Sequence, residues 1–317
     1  MYQLNPLDKI ELPVLIPFGG LTPESFIAYY HAHGEQIQEI LFRMGAIKFQ
    51  NIYINSLFDF QHIVDAISDK FLNYIDGNSP RTKLSGHVYT STEYDKSRRI
   101  TMHNELSYSA KWPQKLFFSC IQPSETGGET LLADSREILE FMNKDIVSEI
   151  SRKGITYIRN LHGGTGMGPS WQDTFETTDK KRLEAYCQAY SINYEWVHGD
   201  MLKLKQFASG IIQHRQTKES LWFNQIDQFH PYHLGEELFE TLQALYSSPE
   251  NFPLYVTYGD GTAIDEGSVK EILDTIEDLT LAPVWNRNEL LIVDNERVCH
   301  GRNSYTGERR VLVAMSE

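Results

Sequence analysis

The chain has 317 residues, of which 41% are hydrophobic and 12% aromatic, enough to bury a sizeable core in one large or two smaller domains. A formal net charge of −14 leaves no basic face to track phosphates, which argues against nucleic acid and anionic membranes as partners and for a small-molecule substrate. The three cysteines, Cys120, Cys187 and Cys299, are unevenly spaced and form no CxxC, as in a reducing compartment. With no 18-residue apolar segment, and no basic start and long apolar run in "MYQLNPLDKIELPVLIPFGG", a soluble cytoplasmic protein is expected.

In chain order, Thr22, Pro23 and Glu24 make a helix start, and the apolar spacing after them predicts one helix ending near Gly45. "AIKFQNIYI" alternates as a half-buried strand does, and "SLFDFQHIVDAISDKFL" returns to helical period. "DGNSPRTKLSG" carries turn chemistry and leads into the β-branched, aromatic "HVYTSTEY". Strands then dominate: "RITMHNELSY", "KLFFSCIQ", "GGETLLAD", "GITYIRNL", "SLWFNQI", "ELLIVDN" and "RRVLVAMSE". Helical insertions fall in "SREILEFMNKDIVSEISRKG", "TDKKRLEAYCQAYS" and "GSVKEILDTIEDLTLAPVW". Neither a repeat nor a low-complexity linker marks a boundary, so one domain over residues 1–317 is expected: a β-core of jelly-roll or sandwich type decorated with helices.

Within "TMHNELSY", His103 and Glu105 stand two apart, and on a strand residues i and i+2 face the same side. A third ligand for a metal would come from His300 in "VCHGRNSY", at the end of a predicted strand. Two histidines and a carboxylate on one face of an ion are the arrangement of non-haem Fe(II) oxygenases, with three positions left for cosubstrate and O₂. An isolated HxE is more often an ordinary half-buried histidine, so the weight falls on its company. On the next predicted strand Arg309 and Arg310 point to opposite faces, and one of them must face inward. A buried guanidinium there needs a carboxylate, which a dicarboxylate cosubstrate would supply as a fork-to-fork pair. Thr130, in "TGGETLLAD", could donate to the same carboxylate.

These motifs, together with "PFGGLTPESF", "NSPRTKLSGHVYTSTEY", "GGETLLADSREIL", "SWQDTFETTD", "LWFNQIDQFH" and "ERVCHGRNSYTGERRVLVAM", run in order over nearly the whole chain. Their sequence resembles the taurine dioxygenase (TauD/TfdA-like) family of Fe(II)/2-oxoglutarate oxygenases, in particular its clavaminate synthase-like and syringomycin-type amino-acid hydroxylase branch. The resemblance implies an α+β fold with a double-stranded β-helix (jelly roll, clavaminate synthase-like) core. It also implies Fe(II) held by His103, Glu105 and His300, and 2-oxoglutarate whose far carboxylate meets Thr130 and an arginine. That arginine matches Arg310 best, directly before "VLVAM", with Arg309 as the fallback. Taurine dioxygenase carries a second, sulfonate-binding arginine four positions later, where this chain has Ala314, so a sulfonate substrate is not expected. Related halogenases replace the carboxylate ligand with a small residue; Glu105 argues for oxygen insertion or desaturation instead.

The implied reaction consumes O₂ and 2-oxoglutarate, releases succinate and CO₂, and hydroxylates an unactivated C–H of an amino acid or aminoacyl compound, either free or carrier-protein-bound, in specialised metabolism. Alternatives are a metal-dependent hydrolase on the same triad, or a desaturase or cyclase of the same family. Candidate substrate contacts are Arg81, Ser91, Thr92 and Asn224, each of which also has a plain structural explanation as a loop, strand or buried amide residue. "HGGTGMGPSW" lacks GK[ST] and is no nucleotide loop, and the His230–His233 pair has no carboxylate or cysteine nearby to complete a second metal site. The sequence leaves the oligomeric state open.

Overall fold

Apolar residues at every position of a strand mark a sheet covered on both faces, and the central strands of this chain carry that pattern. The computed structural model describes residues 12–16, 19–72, 75–77, 82–91, 94–198 and 200–317. Its main sheet has seven strands in the order Val14–Leu15, Ala46–Phe49, Glu289–Asp294, Lys115–Gln122, Arg310–Ser316, Val88–Thr90 and Lys83–Ser85. The first pair is parallel and the others antiparallel.

Successive side chains of this sheet enter different cores. Leu116, Phe118, Cys120, Leu291, Val293, Val311, Val313 and Met315 belong to the inner core. Phe117, Leu290, Ile292, Leu312 and Ala314 belong to an outer one, closed by Phe26, Ile37, Leu41, Phe60, Ile63 and Val64 of three helices, Pro23–Ala32, Gly34–Met44 and Leu57–Ile67. A three-stranded antiparallel sheet, Ile100–His103, Val298–Arg302 and Thr130–Asp134, contributes Met102, Leu132, Ala133 and Val298 to the inner core. A four-stranded sheet, ordered Asn193–Val197, Met201–Ala208, Ile155–Leu161 and Leu254–Tyr258, adds Ile155, Tyr157, Val256 and Tyr258 to the same core.

Three local expectations change. The predicted helix from Thr22 to Gly45 is two helices, broken at His33, whose Nδ1 bonds Tyr29 O at 2.9 Å and whose ring stacks on Tyr29, with Gly34 following. Gly45, at φ 76, closes the second helix in the left-handed conformation that suits glycine. The Ala46–Phe49 strand is buried throughout rather than on one face. Lys48 is tolerated there because its ammonium meets Glu289 at 2.7 Å, both side chains being no more than 6% exposed. Finally, the strand carrying the HxE motif ends at His103, so Glu105 lies in a turn, with Leu106 at φ 58, and does not share a strand face with His103.

Lys48→Met would leave Glu289 buried without its cation. The unfolding free energy is expected to fall by about 3–5 kcal/mol, read from urea denaturation at unchanged m value; a loss below about 1 kcal/mol would put the pair on a par with a surface one.

Candidate active site

Antiparallel register brings the first two site residues together. His103 lies directly opposite His300, and their ring centroids are 4.3 Å apart. His103 Nδ1 is 2.9 Å from the carbonyl oxygen of Thr101, which can only accept, so Nδ1 carries the hydrogen and Nε2 presents its lone pair. The side-chain amide of Gln228 approaches the same Nδ1 at 3.3 Å. Glu105 reaches the pair from its turn, with Oε2 3.6 Å from His300 Nε2. One ligand atom from each of the three lies within 4.8 Å of the others, and all three residues are buried. Among the described residues this is the only such grouping of histidine, cysteine and carboxylate side chains, and His230 and His233 are not part of one. Two imidazoles and a carboxylate suit a divalent cation of the iron type; among the described residues His300 Nδ1 has no hydrogen-bond partner.

What holds Glu105 in place is Asn295, in the turn between the Glu289–Asp294 and Val298–Arg302 strands. The Glu105 N–H donates to Asn295 Oδ1 at 2.7 Å, and Asn295 Nδ2 donates back to Glu105 O at 3.0 Å and to Pro113 O at 2.8 Å. Asn104 Nδ2 donates to Asn295 O at 2.7 Å, and Gln225 Nε2 to Asn104 O at 2.9 Å. Sequence reasoning missed Asn295: "DN" in "VDNERV" reads only as a turn, and its partner lies 190 positions away.

Beside the two histidines a pocket is lined by Ser91, Ile100, Phe118, Thr130, Gly301, Arg302 and Arg309. Arg309 is the inward arginine. Its Nε donates to Gly128 O at 2.8 Å and its guanidinium to Ser91 Oγ at 3.1 Å, and among the described residues no carboxylate stands within ion-pair distance. Burial, with Arg302 nearby, pushes its pKa down to about 10. Arg302 is occupied differently, donating to Tyr94 O at 3.3 Å, Asp95 O at 2.8 Å and Arg98 O at 2.9 Å, and so ties down the loop before the His103 strand.

Arg310, the preferred match, is instead exposed at the start of its strand, opposite Gln122. Val311, Val313 and Met315 share the inner core, and Arg309, two positions before Val311 and just ahead of the strand, lines the pocket with Phe118 of that core. Four positions after Arg309 is Val313, buried and apolar, in place of Ala314. Thr130 is buried, faces Arg302 across the strand pair, and accepts a hydrogen bond from Trp285 Nε1 at 2.9 Å. The Ser91 hydroxyl is engaged by Arg309. Asn224, expected at the substrate, is a satisfied core amide: its Nδ2 donates to Gly210 O at 2.9 Å and its Oδ1 accepts from Ile226 N at 3.1 Å, so neither end is turned to the pocket. Arg81 and Thr92 lie outside the described residues.

Comparison with known proteins decides the family. Residues 13–315 match the family described as "Taurine catabolism dioxygenase TauD, TfdA family". The chain belongs to the TauD/TfdA family. It is 33% identical over 314 residues to the dapdiamide synthesis protein DdaC of Enterobacter agglomerans, covering 99% of this chain and 94% of that one. Its fold is similar to PvcB of Pseudomonas aeruginosa, at TM-score 0.56 and 12% identity over 99% of this chain and 91% of that one; PvcB is described as an Fe, alpha-ketoglutarate dependent oxygenase from an isonitrile synthetic pathway. A similar likeness, TM-score 0.54 at 13% identity over 93% and 83%, links it to an asparagine oxygenase in complex with Fe(II), 2S,3S-3-hydroxyasparagine and succinate. The chain is thus a TauD/TfdA dioxygenase on a double-stranded β-helix.

Behind this TauD/TfdA site the turn bearing Asn295 is braced by ions. His214 Nδ1 accepts from Thr217 N at 3.0 Å, which leaves Nε2–H to donate to Asp294 at 3.0 Å, while Arg215 meets Glu296 at 2.6 Å and Trp112 Nε1 donates to Glu296 at 2.9 Å. The hydrogen bond to Asp294 is the main cause that raises the His214 pKa above its ordinary 6.5; burial opposes it, Glu296 reinforces it and Arg297 opposes it. A raised histidine contributes stability that is complete below the unfolded value of 6.5 and is lost as pH rises through the folded value. The melting-temperature gap between wild type and His214→Gln should therefore be larger at about pH 6 than at about pH 9; a gap that is constant across that range would show that protonation of His214 plays no part.

Proposed function

We propose that this Fe(II)/2-oxoglutarate-dependent oxygenase hydroxylates an unactivated C–H bond of an amino acid or carrier-tethered aminoacyl compound, with release of succinate and CO₂. The observation that carries the reading is the pairing of two features in one buried site: three convergent ligand atoms, and beside them an arginine that has hydrogen bonds but no carboxylate at ion-pair distance among the described residues. In this reading His103, Glu105 and His300 hold the iron, and Arg309 with Thr130 holds the far carboxylate of 2-oxoglutarate. The asparagine oxygenase captured with its hydroxylated amino acid and the biosynthetic role in the name of DdaC support an amino-acid type of substrate.

When bound, iron and 2-oxoglutarate supply the O₂-dependent oxidative decarboxylation that makes C–H cleavage possible. The chain's own part is placement and shielding. The Thr101 carbonyl fixes the His103 tautomer, and Asn295 fixes the Glu105 backbone. One carboxylate offsets part of a divalent charge, and the guanidinium of Arg309 offers planar, two-point recognition to an anion that the acidic chain would otherwise repel. Phe118 and Ile100 narrow the pocket against water.

A metal hydrolase on the same three ligands has no use for Arg309 and Thr130 at this position. Desaturation or cyclisation would keep every residue named and change only the substrate pose, so the product mass distinguishes them from hydroxylation. We read residues 1–317 as one domain, and the three free, buried cysteines support a cytoplasmic setting. Among the described residues no helix is long and apolar enough to cross a membrane.

Anaerobic titration with Fe(II) and 2-oxoglutarate should produce the visible charge-transfer band of an iron-bound 2-oxo acid, and His300→Ala should abolish it. Arg309→Leu should raise KM for 2-oxoglutarate by about 30-fold or more, whereas Arg310→Leu should leave it within about twofold, as surface arginines do. The opposite ranking, or a wild type without the band, would overturn the assignment.

A further inference from the structure

We infer that Trp285 is a positioning residue for the cosubstrate, acting through Thr130: its indole N–H occupies the acceptor side of the hydroxyl and thereby aims the hydroxyl hydrogen into the pocket. The inference rests on the reading above, in which the pocket takes the far carboxylate of 2-oxoglutarate. An indole nitrogen can only donate, so at the 2.9 Å contact Thr130 Oγ1 must be the acceptor. The single hydroxyl hydrogen then points elsewhere. Thr130 is 4% exposed and no acceptor among the described residues takes that hydrogen. A buried donor without an acceptor costs free energy unless a ligand satisfies it, and the guanidinium of Arg309 lines the same pocket. A carboxylate placed between the two would accept from both.

The indole itself is held by the buried Lys48–Glu289 pair and its neighbours. Lys48 Nζ lies 5.2 Å from the centre of the Trp285 ring and donates to Val284 O at 2.5 Å. Glu289, paired with Lys48, accepts from Asn286 N at 2.8 Å and from Asn286 Nδ2 at 3.0 Å. Trp285 is thus fixed by bonds to the residue on each side of it. Upstream, Leu281 exchanges backbone hydrogen bonds of 2.8 and 3.0 Å with Leu132, which sets this segment alongside the Thr130–Asp134 strand. A buried ion pair and a cation over the ring thus hold the indole whose N–H donates to the threonine oxygen.

The test measures binding, without turnover. Full-length protein loaded anaerobically with Mn(II) is titrated calorimetrically with 2-oxoglutarate, and with pyruvate, a 2-oxo acid that lacks the far carboxylate. Thr130→Val is expected to weaken 2-oxoglutarate about tenfold and Trp285→Phe about three- to tenfold. The double variant should be no weaker than Thr130→Val alone, because Trp285 acts through that hydroxyl. Trp285→His, which restores a ring N–H, should bind more tightly than Trp285→Phe, and Mn(II) and pyruvate affinities should be unchanged throughout. Additive losses, equal weakening by Phe and His, or a matching loss of pyruvate binding would overturn the inference and leave Trp285 a packing residue. Weakening by Thr130→Val with no effect of Trp285→Phe would overturn the inference while sparing the cosubstrate reading; no effect of Thr130→Val would overturn both.

Discussion

A carboxylate taken out of water must find compensating charge or hydrogen bonds, and Glu105, buried against His300, brings that demand to the candidate metal site. Neutral imidazoles answer it poorly, a divalent cation answers it well, and so the architecture around Glu105 reads as a device for keeping three ligand atoms close without letting them relax apart. The histidines come together by strand register. The carboxylate comes by a turn, and that turn is not left to its own preferences: Asn295 grips its backbone from a second turn, which connects the Glu289–Asp294 strand to the strand bearing His300. One asparagine thereby ties the geometry of the first ligand segment to that of the last.

The distribution of charge follows the same logic. An acidic molecule places two arginines beside its candidate metal ligands, yet they are not equivalent. Arg302 spends its donors on three backbone carbonyls and is a structural clamp, whereas Arg309 lines the pocket and, among the described residues, donates only to a serine hydroxyl and one carbonyl. Burial lowers the Arg309 pKa but leaves it a cation at neutral pH. An anionic ligand would meet a cation there on a chain whose net charge is −14.

Much of the site was readable from residue types in order. HxE, a distal histidine, a threonine after the first pair and a double arginine carry donor chemistry that does not depend on exact coordinates. What misled was geometry assumed from periodicity. His103 and Glu105 do lie near one another, but through a left-handed turn at Leu106 rather than a shared strand face. The arginine pair was split between two faces as expected, yet the member preferred is the exposed one, because the strand that follows is buried on both sides and apolar residues alone do not say which side holds the candidate site. Asn224 looked like a pocket wall and is a backbone-bonded core amide.

The linear chain by itself determined the chemical inventory: which donors, acceptors and cations are available, and that the β-rich central segments must be covered by something apolar. Those are properties of side chains and short-range periodicity. Only the tertiary structure decided that Arg309 faces inward, that Asn295 holds Glu105, and that Trp285 reaches Thr130 across 155 positions. Each of these is a contact between segments far apart in the chain, set by strand register and loop packing, and no local pattern of residues encodes the direction in which a side chain meets a partner that folding has yet to bring near.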